Sequence, residues 1–64
     1  MLINGKEMNF KDGITIECLL KELKLDYNKV VVELDKDIIL KDEYKHKKLN
    51  SNSEVEIIRF VGGG

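Results

Sequence analysis

Three consecutive glycines, Gly62-Gly63-Gly64, close this 64-residue sequence and are its strongest candidate for chemistry. Residues without a Cβ lie extended in channels too narrow for any other side chain and reach backbone angles closed to the rest. Such a segment can carry the Gly64 carboxylate into the active site of another protein. Taken alone, a glycine tail is equally consistent with a frayed terminus.

The other reactive residue types assemble nothing comparable. Cys18 is the only cysteine, which excludes an internal disulfide and a Cys-based zinc site. It has no basic constellation near it in sequence and reads as a passive thiol. His46 stands in Lys45-His46-Lys47-Lys48 with neither a paired carboxylate nor a nucleophilic serine at a suggestive spacing, as expected of a solvated loop. Asp35, Asp37, Asp42 and Glu43 lack the glycine and the spacing of a calcium loop and read as turn residues. No metal site, no bound cofactor and no catalytic residue is expected, so the chain reads as something other than an enzyme.

Composition narrows the classes further. With 42% hydrophobic and 36% charged residues the chain is apolar enough to fold, and its length suits one domain over residues 1–64. A net charge of -1 offers no general attraction to nucleic acid or to a membrane surface. The apolar runs are far shorter than the ~20 residues that cross a bilayer. Met1 leads into a strand-like pattern, and the expected location is cytoplasmic.

The elements that must position the tail follow from local pattern. Asn4-Gly5 suits a two-residue hairpin turn between strands at 1–4 and 7–10. Thr15 is placed to cap a helix from Ile16 to Lys24, in which Ile16, Leu19, Leu20 and Leu23 fall at i, i+3, i+4 and i+7 and form one apolar stripe. Cys18 lies off that stripe. A turn at 25–28 precedes a β-branched strand, Val30 to Leu34, and a short strand at 38–40 completes a second hairpin. Residues 41–48 predict an irregular crossing with at most one helical turn, anchored by Tyr44 and Leu49. Asn50-Ser51-Asn52-Ser53 is a turn cluster, and Glu54 to Val61 predicts the longest strand. One helix laid across a mixed sheet of four to five strands, an α+β design, is the economical packing.

In that last strand Val55 and Ile57 alternate against Ile58 and Phe60. If the first pair faces the helix, the second is left on the open face beside the tail, with Val31 as a neighbour. Contiguous exposed apolar surface marks interaction sites, so Ile58, Arg59, Phe60 and Val61 are the predicted partner-binding residues, Arg59 by pairing with an acidic group.

Taken together, this order of elements resembles the ubiquitin-like β-grasp fold. The opening turn at Asn4-Gly5, Ile14-Thr15-Ile16, Leu19-Leu20, Val30-Val31-Val32-Glu33, Ile38-Ile39, Glu43-Tyr44 and above all Val55-Glu56-Ile57-Ile58-Arg59-Phe60-Val61-Gly62-Gly63-Gly64 resemble the ThiS family of thiamine sulfur carriers. The chain departs from that family's pattern at Asn52-Ser53 and Leu40-Lys41, which affects two loops. The resemblance implies that an adenylating, ThiF-like partner activates Gly64 with ATP, that a sulfur donor protein supplies the sulfur of a C-terminal thiocarboxylate, and that a ThiG-like thiazole synthase receives it. Residues 61–64 would then be a flexible tail, with Gly62 and Gly63 entering the partner's active site. The alternatives are a sulfur carrier like the small subunit of molybdopterin synthase, which shares fold and ending, and a non-covalent ubiquitin-like adaptor whose tail is idle.

Overall fold

The computed structural model describes residues 1–60. Its elements in chain order are β1 (Leu2–Ile3), β2 (Lys6–Glu7), α1 (Ile16–Glu22), β3 (Val30–Leu34), β4 (Asp37–Ile39) and β5 (Glu54–Arg59). Short 3-10 turns at Tyr27–Lys29 and Lys41–Glu43 join them. The sheet order is β2-β1-β5-β3-β4, with β1 and β5 parallel and every other neighbouring pair antiparallel. The chain's last strand is thus the central one.

Both hairpins close through two-residue turns with positive φ at both central positions. The first uses Asn4 and Gly5 (φ 52° and 79°), as the sequence predicts. The second uses Asp35 and Lys36 (φ 50° and 73°), neither a glycine. Asp35 is held there from both sides: its N–H donates to the Glu54 carbonyl at 2.8 Å, and its Oδ1 accepts from the Glu54 N–H at 3.1 Å. The predicted strands at 1–4 and 7–10 are shorter in the structure because the turn consumes Asn4 and Gly5 and pairing resumes at Lys6. Freed from the strand, the Asn4 side chain accepts from the Ile57 N–H at 2.7 Å and extends the β1–β5 ladder by one bond.

Thr15 caps α1 as expected, its hydroxyl oxygen accepting from the Cys18 N–H at 3.2 Å. The helix ends at Glu22, two residues before the predicted Lys24. Lys24 turns left-handed (φ 59°), its N–H donates to the Lys21 carbonyl and that of Leu25 to the Leu20 carbonyl. This is a Schellman ending with a lysine where glycine is usual. Leu23 is therefore the helix cap, and it still completes the predicted stripe, half-buried and packed against the core.

One side of the sheet packs against α1. Val30, Val32 and Leu34 of β3, Ile39 of β4, and Val55 and Ile57 of β5 join Ile16, Leu19 and Leu20 in a single apolar cluster with Met1 and Ile3. Burying side chains of this size contributes about 1.5–3 kcal/mol each before entropy is counted. The crossing at 41–49 closes the open end of this core. Tyr44 and Leu49 are buried in it, as predicted. Its backbone also serves the helix start: the Ile16 N–H donates to the Lys47 carbonyl and the Glu17 N–H to the Tyr44 carbonyl, at 3.1 and 3.0 Å. Two donors that a helix start leaves unpaired are thereby satisfied by a segment with almost no regular structure. The 50–53 cluster is a tight turn, in which the Asn50 side chain accepts from the Asn52 N–H and the buried Ser53 hydroxyl from the Asn50 N–H.

Two boundaries in the second half also shift by a residue or more. β4 runs Asp37–Ile39 instead of 38–40, because the Asp35-Lys36 turn sets Leu34 opposite Asp37. β5 ends at Arg59 among the described residues, with one further bond from the Phe60 N–H to the Lys29 carbonyl. Val61, the last residue of the predicted strand, lies outside the described residues.

Candidate functional site

Strand alternation decides what β5 offers to the solvent side of the sheet. Val55 and Ile57 are buried under α1, so Glu54, Glu56 and Ile58 point the other way, with Phe60 next in the same alternation. Ile58 is 50% and Phe60 49% exposed, high for side chains of this size in a sheet with a covered face. Ile58 lies directly opposite Val31, which is half-buried, so β3 and β5 together build an apolar row at the end of β5 from which residues 61–64 continue. Arg59 is exposed, paired in register with Val30. The predicted tail residues Val61, Gly62, Gly63 and Gly64 lie outside the described residues.

Two residues join this patch that the sequence reading missed. Ile38 and Leu40, 64% and 63% exposed, lie along β4 and just beyond it. Ile38 pairs with Glu33, which sets it on the open face. The signal was available in the alternation of Ile38 against buried Ile39, but it needed the β3–β4 register to be read. The segment after Leu40 is held by Lys41, whose ammonium donates to Asn28 Oδ1 at 2.9 Å and lies 5.8 Å from the centre of the Tyr27 ring.

The remaining candidates are dispersed. Cys18 is exposed on α1, and His46 is exposed in the crossing. Among the described residues no group of three or more His, Cys, Asp or Glu side chains converges as a metal would require. A concavity of about 350 Å³ lies between α1 and the segment after it, lined by Leu20, Leu25, Tyr27 and Lys45 among others. It is on the helix side of the sheet, away from the open face of β5. Burial pushes the Tyr44 phenol above its ordinary value of 10.0, opposed by a backbone hydrogen bond with Val32. That group belongs to the core. No helix among the described residues is long and apolar enough to cross a membrane.

A single helix across a five-stranded mixed sheet whose central strand leads into the C-terminal segment is the β-grasp arrangement of ubiquitin-like proteins. A solved structure of the same architecture, a thiamine biosynthesis protein (ThiS) from Geobacter metallireducens, superimposes with a TM-score of 0.80 over 98% of this chain and 96% of that one, at 24% identity. The model of the ThiS family matches residues 1–64, glycines included. The sulfur carrier protein ThiS of Bacillus subtilis is 41% identical over 63 residues, covering 97% of this chain and 96% of that protein. A thiazole synthase of Paramagnetospirillum magneticum is 42% identical over all 64 residues, and this chain spans 20% of its length. The chain belongs to the ThiS family.

Proposed function

We propose that this chain is the sulfur carrier of thiamine biosynthesis, a protein co-substrate with Gly64 as its working group. The observation that carries the reading is the end-to-end ThiS match, which extends through Gly62, Gly63 and Gly64. An adenylating enzyme binds the open face at Ile58, Phe60 and Val31 and draws the glycine segment into its site. There the Gly64 carboxylate attacks the α-phosphate of ATP, releasing pyrophosphate and forming an acyl adenylate. A persulfide on a donor protein then expels AMP and leaves an acyl disulfide, and a second thiol attacks the donor sulfur, forms a disulfide with it and releases the terminal thiocarboxylate. Thiazole synthase takes its sulfur from that group; a relative named thiazole synthase that contains a region similar to this whole chain supports the pairing. ATP is used by the partner, and the carrier itself holds no cofactor. The whole sequence is cytoplasmic in this reading and contacts neither nucleic acid nor membrane.

Intact-mass measurement after incubation with ATP, the adenylating enzyme and a sulfur donor tests this directly. The expected result is the mass gained when sulfur replaces one oxygen, localised to Gly64 by fragmentation so that oxidation of Met1, Met8 or Cys18 is distinguished. An unchanged Gly64 with a demonstrably active partner would sink the proposal and leave a ubiquitin-like binding module. Removing Gly63 and Gly64 separates the same two cases, since an adaptor keeps its binding activity without them and a carrier loses its function.

A further inference from the structure

The open face changes character along β5. Glu56 lies directly opposite Glu33 across the antiparallel β5–β3 pair, and Glu54 precedes Glu56 by two residues on the same face. One step toward the end of β5, Ile58 lies opposite Val31, and Phe60 follows. The part of the face toward the start of β5 therefore carries three carboxylates, with Ile38 opposite Glu33 and Leu2 opposite Glu54 beside them, and the part at the end of β5 is apolar. Among the described residues the ion pair is that of the Met1 ammonium with Glu7, at 2.8 Å. Among the described residues Glu33, Glu54 and Glu56 have no cation within salt-bridge distance, and the nearby Lys36 lines a shallow concavity with Glu54 and Glu56 without pairing to either. The basic cluster at Lys45, Lys47 and Lys48 belongs to the crossing packed on the start of α1, on the other side of the sheet.

Like charges directly opposite on neighbouring strands repel, and Glu33 is half-buried, which reduces its screening by water. Folding alone gains nothing from this pair. A cation supplied from outside would relieve it, and beside an apolar patch such a pair also orients an incoming surface. We infer that the adenylating enzyme that docks on the open face carries lysine or arginine side chains seated over Glu33 and Glu56, next to an apolar surface that covers Ile58, Phe60 and Val31. The acidic half then governs encounter and orientation, which charged groups affect through the association rate. The apolar half governs the lifetime of the complex, as buried anchors do. This rests on the open face being the docking surface, as proposed above.

Stopped-flow binding of the full chain to the purified adenylating enzyme, across a range of salt concentrations, tests both halves. The Glu33→Gln/Glu56→Gln double variant is expected to associate about fivefold more slowly at low salt, with the difference fading at high salt and dissociation unchanged. The same variant is expected to resist urea slightly better than the parent, so loss of fold is not the cause. The Ile58→Ala/Phe60→Ala double variant is expected to dissociate about tenfold faster. If the apolar variant weakens binding while the glutamine variant associates at the parent's rate at every salt concentration, the basic-partner inference is overturned and the docking surface stands. If neither variant changes binding, the docking surface is wrong and this inference falls with it.

Discussion

The two faces of the sheet are made from the same strands, residue by residue in alternation, yet they meet opposite demands. Val30, Val32, Leu34, Val55 and Ile57 face α1 and are buried, whereas Val31, Glu33, Glu56, Ile58 and Phe60 face outward. On the covered face apolar surface is matched by a helix and a crossing segment. On the open face comparable side chains are left uncovered beside carboxylates that form no ion pair among the described residues. The difference teaches that β5 holds the fold together with one set of side chains and presents the other set to solvent just before residues 61–64.

Substitutions that act on one face and not the other would sharpen or break this division. Leu20→Ala, at the centre of the covered face, should cost about 2–5 kcal/mol in urea denaturation, as large-to-small changes in packed cores do. Thr15→Ala should cost about 1 kcal/mol, because the Cys18 N–H then loses its acceptor at the helix start. Ile58→Ala and Phe60→Ala should each change stability by less than about 0.5 kcal/mol while impairing adenylation of Gly64. A cost for either near that of Leu20→Ala would show that the open face is part of the core after all.

The covered face also has an alkaline signature. Burial raises the folded-state pKa of Tyr44 above the 10.0 expected of an unfolded chain. Its contribution to stability is therefore complete below pH 10.0 and is lost as pH rises through the folded-state value, because only the unfolded chain readily gives up the proton. In denaturation series from neutral to strongly alkaline pH, the parent should lose stability more steeply above that point than Tyr44→Phe, whatever the difference between the two proteins at neutral pH. Equal slopes would mean that Tyr44 is solvated.

What the sequence made legible is whatever a local signal encodes. Asn4-Gly5 specifies its turn, the 3-4-7 spacing in Ile16 to Leu23 specifies which helix face is buried, and the alternation in β5 correctly leaves Ile58 and Phe60 outside. What it hid depends on distant residues. Asp35 and Lys36 adopt positive φ without a glycine because β5 holds Asp35 by two hydrogen bonds, and Lys24 does so because the Schellman bonds and Leu25 packing favour it. Likewise the opposition of Glu33 and Glu56, and the place of Ile38 on the open face, exist only once the strand register is set. Gly62, Gly63 and Gly64 lie outside the described residues, and the role expected of them rests on the family match over residues 1–64.

The central position of β5 has a consequence for how the molecule is made. β1 and β3 have no contact ladder with each other; each is completed by β5, and the Asn4 to Ile57 bond closes a loop of more than fifty residues. A nascent chain therefore cannot finish its sheet until the segment through Arg59 has left the ribosome, and folding must wait for long-range closure, which is slow. A chain truncated before β5 therefore lacks the strand that completes its core and, with it, the open-face side chains of Ile58 and Phe60.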